Sequence, residues 1–387
     1  MKLSRRITNV VGSTTLAITA RAKELKAQGF DVVNFAGGEP DFDTPDFIKD
    51  AAVKALEKGF TKYTPSTGTP ELKEAISQKF KKDNNLDYTP AQIVVSCGAK
   101  HCLYNLVEAL VEEGDEVVIP APFWVSYPEM VKLAGGIPKI VATSAKNNFK
   151  LTADLLLKNI SAKTRVLVLN SPSNPTGVLY TRQELSALAE ICVARNIFVI
   201  SDEIYEKLVY DNAEFVAIAS LGKEIYNLTA TVNGVSKTYS MTGWRIGYFG
   251  APKELAEAVK NFQDHTTSNP CSISQVAAMA AIKASEESVT KMRDEFRVRR
   301  DLMMSYLDKI PQVSYIKPQG AFYVFTNISQ LKMGSNVLAK RVLDEINVAL
   351  IPGEGFGADD YVRLSFSTSQ DRIHEGMKRL TDWIKKI

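Results

Sequence analysis

Between about Pro45 and Ser285 short apolar runs and amphipathic stretches alternate, and this alternation constrains the fold more than any other feature of the chain. Strands are predicted at Ile93–Ser96, Glu116–Ile119, Pro138–Val141, Arg165–Leu169, Ile197–Ile200, Thr229–Asn233 and Ile246–Gly250. Helices are predicted at Asp46–Lys58, Pro70–Lys82, Lys100–Val111, Thr152–Ile160 and Thr181–Arg195. Parallel strands need long crossovers, usually helical, so this order predicts an α/β fold: a mostly parallel central sheet covered by helices. After Ser285 the pattern changes to a long helix near Glu286–Asp308, short strands around Ala321–Phe325 and Tyr361–Ser365, and helices at Val337–Glu345 and Asp371–Lys386. That tail reads as a smaller α+β domain. The first ~40 residues, with a helix near Ala17–Gln28, carry no parallel-sheet pattern and are expected to pack with it. The expected division is a large domain over 39–285, with 1–38 and 286–387 forming an N-terminal segment plus small domain.

Composition narrows the function classes. Apolar residues make up 45% and charged residues 24% of the 387, the profile of a chain that can bury a large core. The net charge is only +3 and has no long basic block, which argues against a nucleic-acid partner. Cys97, Cys102, Cys192 and Cys271 form no CxxC pair, and with three histidines they predict neither a metal site nor a disulfide framework. The start MKLSRRITNV lacks the apolar core of a leader and no stretch is long enough to span a membrane, so a cytoplasmic location is expected.

In open parallel sheets, ligands gather beyond the carboxyl ends of the strands. Polar and glycine-rich stretches follow directly there: Cys97-Gly98-Ala99-Lys100, Asn170 through Pro175, Ser201-Asp202-Glu203, and Gly234-Val235-Ser236-Lys237. Lys237 follows a strand and precedes a small polar loop, with Arg245 eight residues on. A lysine is ordinarily a solvated surface charge. Here it is a candidate amine for condensation with an aldehyde cofactor and for carrying a proton, and Arg245 is a candidate to grip a phosphate with two parallel hydrogen bonds.

The run Ser236-Lys237-Thr238-Tyr239-Ser240-Met241-Thr242-Gly243-Trp244-Arg245 resembles the lysine signature of class I aminotransferases of fold type I, close to the bacterial aspartate aminotransferase branch. Further matches follow in family order across nearly the whole chain: Gly37 to Phe42, Lys62-Tyr63-Thr64, Pro122-Phe123-Trp124, Ser171 to Gly177, Ser201 to Tyr205, and Val362 to Ser365. The resemblance implies pyridoxal 5'-phosphate held as an imine on Lys237. It makes Asp202 the ion-pair partner of the ring nitrogen, where an ordinary Asp caps a helix, and turns the adjacent Glu203 to the other face. Asn174 and Tyr205 would bond the phenolic oxygen, and a cis peptide is expected at Asn174-Pro175. Trp124 would stack on the ring, and Gly98, Ala99, Ser236 and Arg245 would hold the phosphate. Many relatives carry a phosphate-binding Ser where this chain has Gly234, so one contact is missing and Ser236 is the candidate replacement. Tyr63 would reach the phosphate of a neighbouring subunit, implying a homodimer with shared active sites.

For the substrate, the resemblance assigns the α-carboxylate to Arg363, helped by Gly38 and Asn174, and the side-chain carboxylate to Lys100 with a hydroxyl from Ser13, Thr14 or Thr15. A cation in a first helical turn opposes the helix dipole, which suits Lys100 to a ligand; the alternative is a side chain reaching to solvent. The activity implied is transfer of the amino group of aspartate to 2-oxoglutarate in two half-reactions. Val11-Gly12 stands where prephenate-using relatives have a basic residue, so weak prephenate activity is expected. An aromatic or kynurenine aminotransferase, or a carbon–sulfur lyase, remains open on the same fold. A remoter alternative is a non-catalytic effector-binding module.

Overall fold

The computed structural model describes residues 1–12 and 14–387; Ser13 and the side chains of Arg5, Thr14, Thr15 and Leu16 lie outside that description. The short β1 (Val33–Asn34) precedes the main sheet. That sheet comprises β2 (Ile93–Ser96), β3 (Glu116–Ala121), β4 (Ile137–Ala142), β5 (Thr164–Asn170), β6 (Phe198–Asp202), β7 (Thr229–Gly234) and β8 (Gly247–Gly250), in the order 2-8-7-6-5-3-4. Each expected strand is present, with ends displaced by a residue or two.

Pairings among β4, β3, β5, β6 and β7 are parallel, whereas β8 runs antiparallel to both β7 and β2. The reversal follows from the connection. Residues 235–246 join β7 to β8 without a crossover helix, so the chain returns beside itself in the opposite sense. Strand interiors such as Val166–Leu169 and Val199–Ile200 are buried on both faces, which explains why they read as unbroken apolar runs. One face packs on the helices Ala99–Leu110 and Lys253–Asp264, through Leu103, Leu106, Val259, Val232 and Ile200. The other packs on Arg182–Arg195 through Leu185, Leu188, Leu167 and Val199. That helix begins with a reciprocal cap: Thr181 accepts from the Glu184 amide at 3.3 Å, and Glu184 accepts from the Thr181 amide at 2.7 Å.

The helices Lys253–Asp264 and Ser272–Lys283 were not singled out by the sequence pattern. The second is alanine-rich and packs against Asp46–Glu57 and Pro70–Asn84, so no polar stripe marks it. A second sheet has β12 (Ile351–Pro352), β13 (Tyr361–Ser365), β10 (Tyr323–Asn327) and β9 (Ser314–Tyr315) in that order, all antiparallel. β10 starts two residues later than expected because Ala321 takes a left-handed conformation, φ 57°, ahead of it. The N-terminal residues join this part of the chain: β1 pairs in parallel with β11 (Val348–Ala349), and the helix Thr14–Ala27 contacts β11 and β12. Among the described residues no helix is long and apolar enough to cross a membrane.

Candidate functional site

A cavity of about 300 Å³ opens beyond the carboxyl ends of β5, β6 and β7 and is closed from the far side by β10 and β13. Its wall brings together Gly38, Ala99, Lys100, Trp124, Asn174, Asp202, Tyr205, Ser236, Lys237, Arg245 and Arg363. These come from eleven positions spread over 326 residues of sequence, and nearly all of the expected site is here.

The register of the sheet places the centre. Asn170, the last residue of β5, lies opposite Asp202, the last of β6, and Asp202 lies opposite Val232 on β7. Lys237 therefore emerges beside Asp202. Its Nζ donates to the Gly38 carbonyl at 2.6 Å. Burial pushes this amine down to about 8; Arg363 and Arg245 push the same way, while Glu39 and Asp202 oppose them. About a tenth is thus uncharged at pH 7, against well under a hundredth for an ordinary lysine, and the uncharged form is the one that acts as nucleophile and base.

Asp202 is buried, and desolvation pushes its carboxyl up to about 6. Two donors partly offset this: the Tyr127 hydroxyl at 2.6 Å to Oδ2 and the Ile204 amide at 3.3 Å to Oδ1. A carboxylate this deep gains strongly from a cation placed against it. Tyr127 was not foreseen. Its position three residues past Trp124, at the start of the helix Ser126–Leu133, places it edge-on to that ring, with centroids 5.3 Å apart, and that spacing was the available clue. Glu203 turns to the opposite face, as expected of a strand neighbour. There it accepts from Ser201 Oγ at 2.9 Å and Asn84 Nδ2 at 3.2 Å, close to the Lys79–Glu206 ion pair.

Asn174 is held by Asn170, whose side-chain oxygen accepts from the Asn174 amide at 2.8 Å. The Asn174-Pro175 peptide is cis, as expected; Ala121-Pro122 and Ser171-Pro172 are cis as well. Asn174 Oδ1 accepts from Arg363 Nη1 at 3.0 Å, which leaves the amide NH₂ as the group available to a ligand. Arg363 also donates from Nη2 to the Ala36 carbonyl at 3.1 Å. Its buried Nε has no partner, and among the described residues no carboxylate pairs with it. An arginine buried to 2% exposure with a free donor is built to receive an anion. Lys100 stands across the cavity with Nζ 4.9 Å from the Trp124 ring centroid. Burial and then Arg245 lower its proton affinity, and it too lacks a carboxylate partner among the described residues.

At the mouth, Arg245 adopts φ 57° and donates to the carbonyls of Thr242 at 2.8 Å and Cys97 at 3.3 Å. Gly98 has φ +94°, and a Cβ there would meet Arg245 Nη2 at 2.4 Å, so only glycine lets the guanidinium lie against this helix start. The first amides of Ala99–Leu110 and the Arg245 cation thus face one place, which suits a phosphate. Gly234 has a local reason as well: a Cβ there would lie 3.0 Å from the Ile246 carbonyl and 3.1 Å from Gly247 Cα. A serine would fit only if β8 moved back slightly. Tyr63 lies away from this cavity and is 91% exposed. The hydroxyls expected of Ser13, Thr14 and Thr15 lie outside the described residues and side chains.

Tyr323 was also missed by the sequence reading. It projects from the start of β10 into the cavity, with its hydroxyl 2.9 Å from that of Tyr205. The only signal was an aromatic in a short apolar run, which describes a core residue equally well.

The family described as aminotransferase class I and II matches residues 31–380. An aspartate aminotransferase of Geobacillus stearothermophilus is 50% identical over 385 residues, covering 98% of each chain. An aspartate/prephenate aminotransferase of Cereibacter sphaeroides is 45% identical, covering 98% of this chain and 97% of that one. Among solved structures, an aspartate aminotransferase of Thermus thermophilus with maleate superimposes with a TM-score of 0.96 at 40% identity, covering 99% of both.

Proposed function

The chain belongs to the class I and II aminotransferases, and from that premise we propose that it moves the amino group of aspartate to 2-oxoglutarate with pyridoxal 5'-phosphate bound at Lys237. The single observation that carries this reading is one cavity holding three groups together. They are a half-buried amine at about 8, a buried carboxyl at about 6, and a buried arginine with a free donor.

The residues fit the cofactor. Asp202 would pair with the ring nitrogen, the Asn174 NH₂ and Tyr205 hydroxyl would donate to the phenolic oxygen, and Trp124 would cover the ring face. The Gly98–Ala99 amides, Ser236 and Arg245 suit the phosphate. When bound, the cofactor supplies an aldehyde for the amino group and a ring that takes up electrons as the Cα proton leaves. Arg363 binds the substrate α-carboxylate, with the Gly38 loop alongside. The Lys237 amine, set free when the substrate's amino group takes its place, would accept the proton from the substrate Cα and deliver it to the cofactor's former aldehyde carbon. Asp202 would pair with the protonated ring nitrogen and, kept ionised by it, would hold the ring in its electron-accepting charge state. The same residues run the second half-reaction with 2-oxoglutarate. The small domain, formed in our reading by 1–38 and 286–387, closes over the large one at 39–285 and excludes water.

Lys100 reads the distal carboxylate. For Lys100→Ser, KM for aspartate is expected to rise roughly 10- to 100-fold, the loss of one charge-assisted contact. Apolar amino acids should change by less than about threefold, since for them no partner is lost. Equal effects on both substrate types would remove this role. Prephenate should be a poor substrate, because Val11-Gly12 offers no cation.

Two observations support a homodimer with shared active sites. Tyr63 projects away from its own cavity, and Phe47, Val53 and Leu56 on Asp46–Glu57, with Phe60 after it, leave apolar side chains exposed. The four cysteines are free, in keeping with a reducing cytoplasm.

The experiment that tests the reading is a spectrum of the cofactor-loaded protein before and after aspartate, without an oxo-acid acceptor. The visible band should fall and oxaloacetate should appear in an amount equal to the cofactor; adding 2-oxoglutarate should restore the band. An unchanged spectrum with no oxo-acid would overturn it.

A further inference from the structure

Resting on that reading of the site, we propose that Tyr323 is a positioning residue that couples the carboxylate clamp Arg363 to the phenolic-oxygen contact Tyr205, through a directed hydrogen bond between the two tyrosine hydroxyls.

Three contacts carry the inference. The hydroxyls of Tyr205 and Tyr323 stand 2.9 Å apart, both side chains being buried. The Arg363 guanidinium lies over the Tyr323 ring, 4.2 Å from its centroid. The Tyr323 hydroxyl also faces the Gly38 backbone: a Cβ at Gly38 would lie 3.8 Å from it. Tyr323 therefore touches the substrate clamp with its face and the cofactor contact with its oxygen.

Each phenol has one hydrogen to give. If Tyr205 donates into the cavity, it cannot also donate to Tyr323, so Tyr323 must donate to Tyr205. The bond then runs one way, from Tyr323 to Tyr205 to the ligand oxygen. A hydroxyl that accepts a hydrogen bond becomes a better donor, so the chain strengthens its last member. The Arg363 charge over the first ring polarises it in the same direction, and Arg363 favours the ionised form of both tyrosines, although burial raises both overall.

With the clamp empty, the positive charge of Arg363 sharpens donation to the ligand oxygen and favours the unprotonated form of the Lys237 nitrogen. A substrate carboxylate on Arg363 cancels that charge, weakens the donation and raises the proton affinity of that nitrogen. The charged and titratable groups facing Lys237 are Glu39, Arg363, Arg245 and Asp202, and those facing Tyr323 are Arg363 and Tyr205. Arg363 is common to both sets. It reaches the place of the phenolic oxygen by two routes, through Tyr323 to Tyr205 and separately through Asn174, so removing the hydroxyl weakens the coupling without abolishing it.

The test compares wild type with Tyr323→Phe, which keeps the ring against Arg363 and deletes only the oxygen. Both proteins are loaded with pyridoxal phosphate, and the visible band is titrated with pH, with and without saturating succinate, a dicarboxylate that has no amino group to react. In Tyr323→Phe without succinate, the midpoint should lie about 0.5 to 1 pH unit higher, roughly a three- to tenfold change in proton affinity, as one hydrogen bond implies. Succinate should raise the wild-type midpoint and raise the variant's by less. Equal midpoints and equal succinate responses overturn the coupling. A wild-type protein with no pH-dependent visible band overturns the pyridoxal phosphate reading itself, and the coupling with it. Pure loss of packing would shift the melting temperature and leave the midpoint in place.

Discussion

Lys237→Ala is expected to reduce transamination by at least about ten-thousand-fold, since it removes both the attachment point and the proton carrier. Its amine is the one that the register of β5, β6 and β7 sets beside Asp202 and under the Gly38 carbonyl. Lys100 cannot substitute, because its Nζ rests on the Trp124 ring on another wall of the cavity. The visible band of the loaded protein should disappear with the activity. Stability should not follow. The folded lysine sits near 8 against an ordinary 10.5, so the folded state binds fewer protons between those values and stability rises with pH across that window. Below pH 8 the buried cation is a cost, so cofactor-free Lys237→Ala should melt no lower than wild type at pH 7. A variant that retains normal transamination would sink the assignment. One that unfolds would instead mean that the Lys237–Gly38 contact carries the loop.

Asp202→Asn should lower kcat/KM by roughly 100- to 1000-fold, the scale for losing one preorganised electrostatic partner. Asn keeps an acceptor for the Tyr127 hydroxyl at nearly the same volume, so the loss reports charge rather than shape. Here too the stability effect has the opposite sign. The folded carboxyl sits near 6 against an ordinary 3.8, so the folded state holds an extra proton between those values. The associated stability is complete below about pH 4 and lost as pH rises through 6, amounting to about 3 kcal/mol if the whole shift is expressed. Cofactor-free wild type should therefore lose stability relative to Asp202→Asn across that window, as read by denaturant midpoints at pH 4 and pH 7. Parallel curves would mean that Tyr127 and the Ile204 amide satisfy the carboxylate fully. The site is thus expected to hold two groups, Lys237 and Asp202, that each destabilise the bare protein and that bound cofactor relieves together.

What could be read before the structure depended on how local the signal was. Lys237, Asp202 and Asn174 each lie at the end of an apolar strand or a few residues past it, and a polar residue at such a place is visible in a short window. Arg363 was legible through its motif, and its buried, carboxylate-free surroundings now give that choice a physical basis. Tyr127 and Tyr323 were not legible. Both are aromatics in apolar surroundings, where burial in a core is the ordinary explanation, and only their hydroxyl partners distinguish them. The helix Ser272–Lys283 escaped notice because neighbours cover it on several sides and periodicity needs a wet face.

The sequence by itself determined the alternating α/β order, the strand ends where chemistry gathers and the residue types waiting there, because strands and their caps are set by neighbours a few positions apart. Tertiary structure alone decided the antiparallel return of β8, the free Nε of Arg363, the depths that move Lys237 to about 8 and Asp202 to about 6, and the contact of Tyr323 with both Tyr205 and Arg363. Those properties belong to pairs and cavities rather than to residues. Desolvation and hydrogen bonding depend on groups tens to nearly two hundred positions away, such as Tyr127 for Asp202 and Gly38 for Lys237, and no short window along the chain contains both partners.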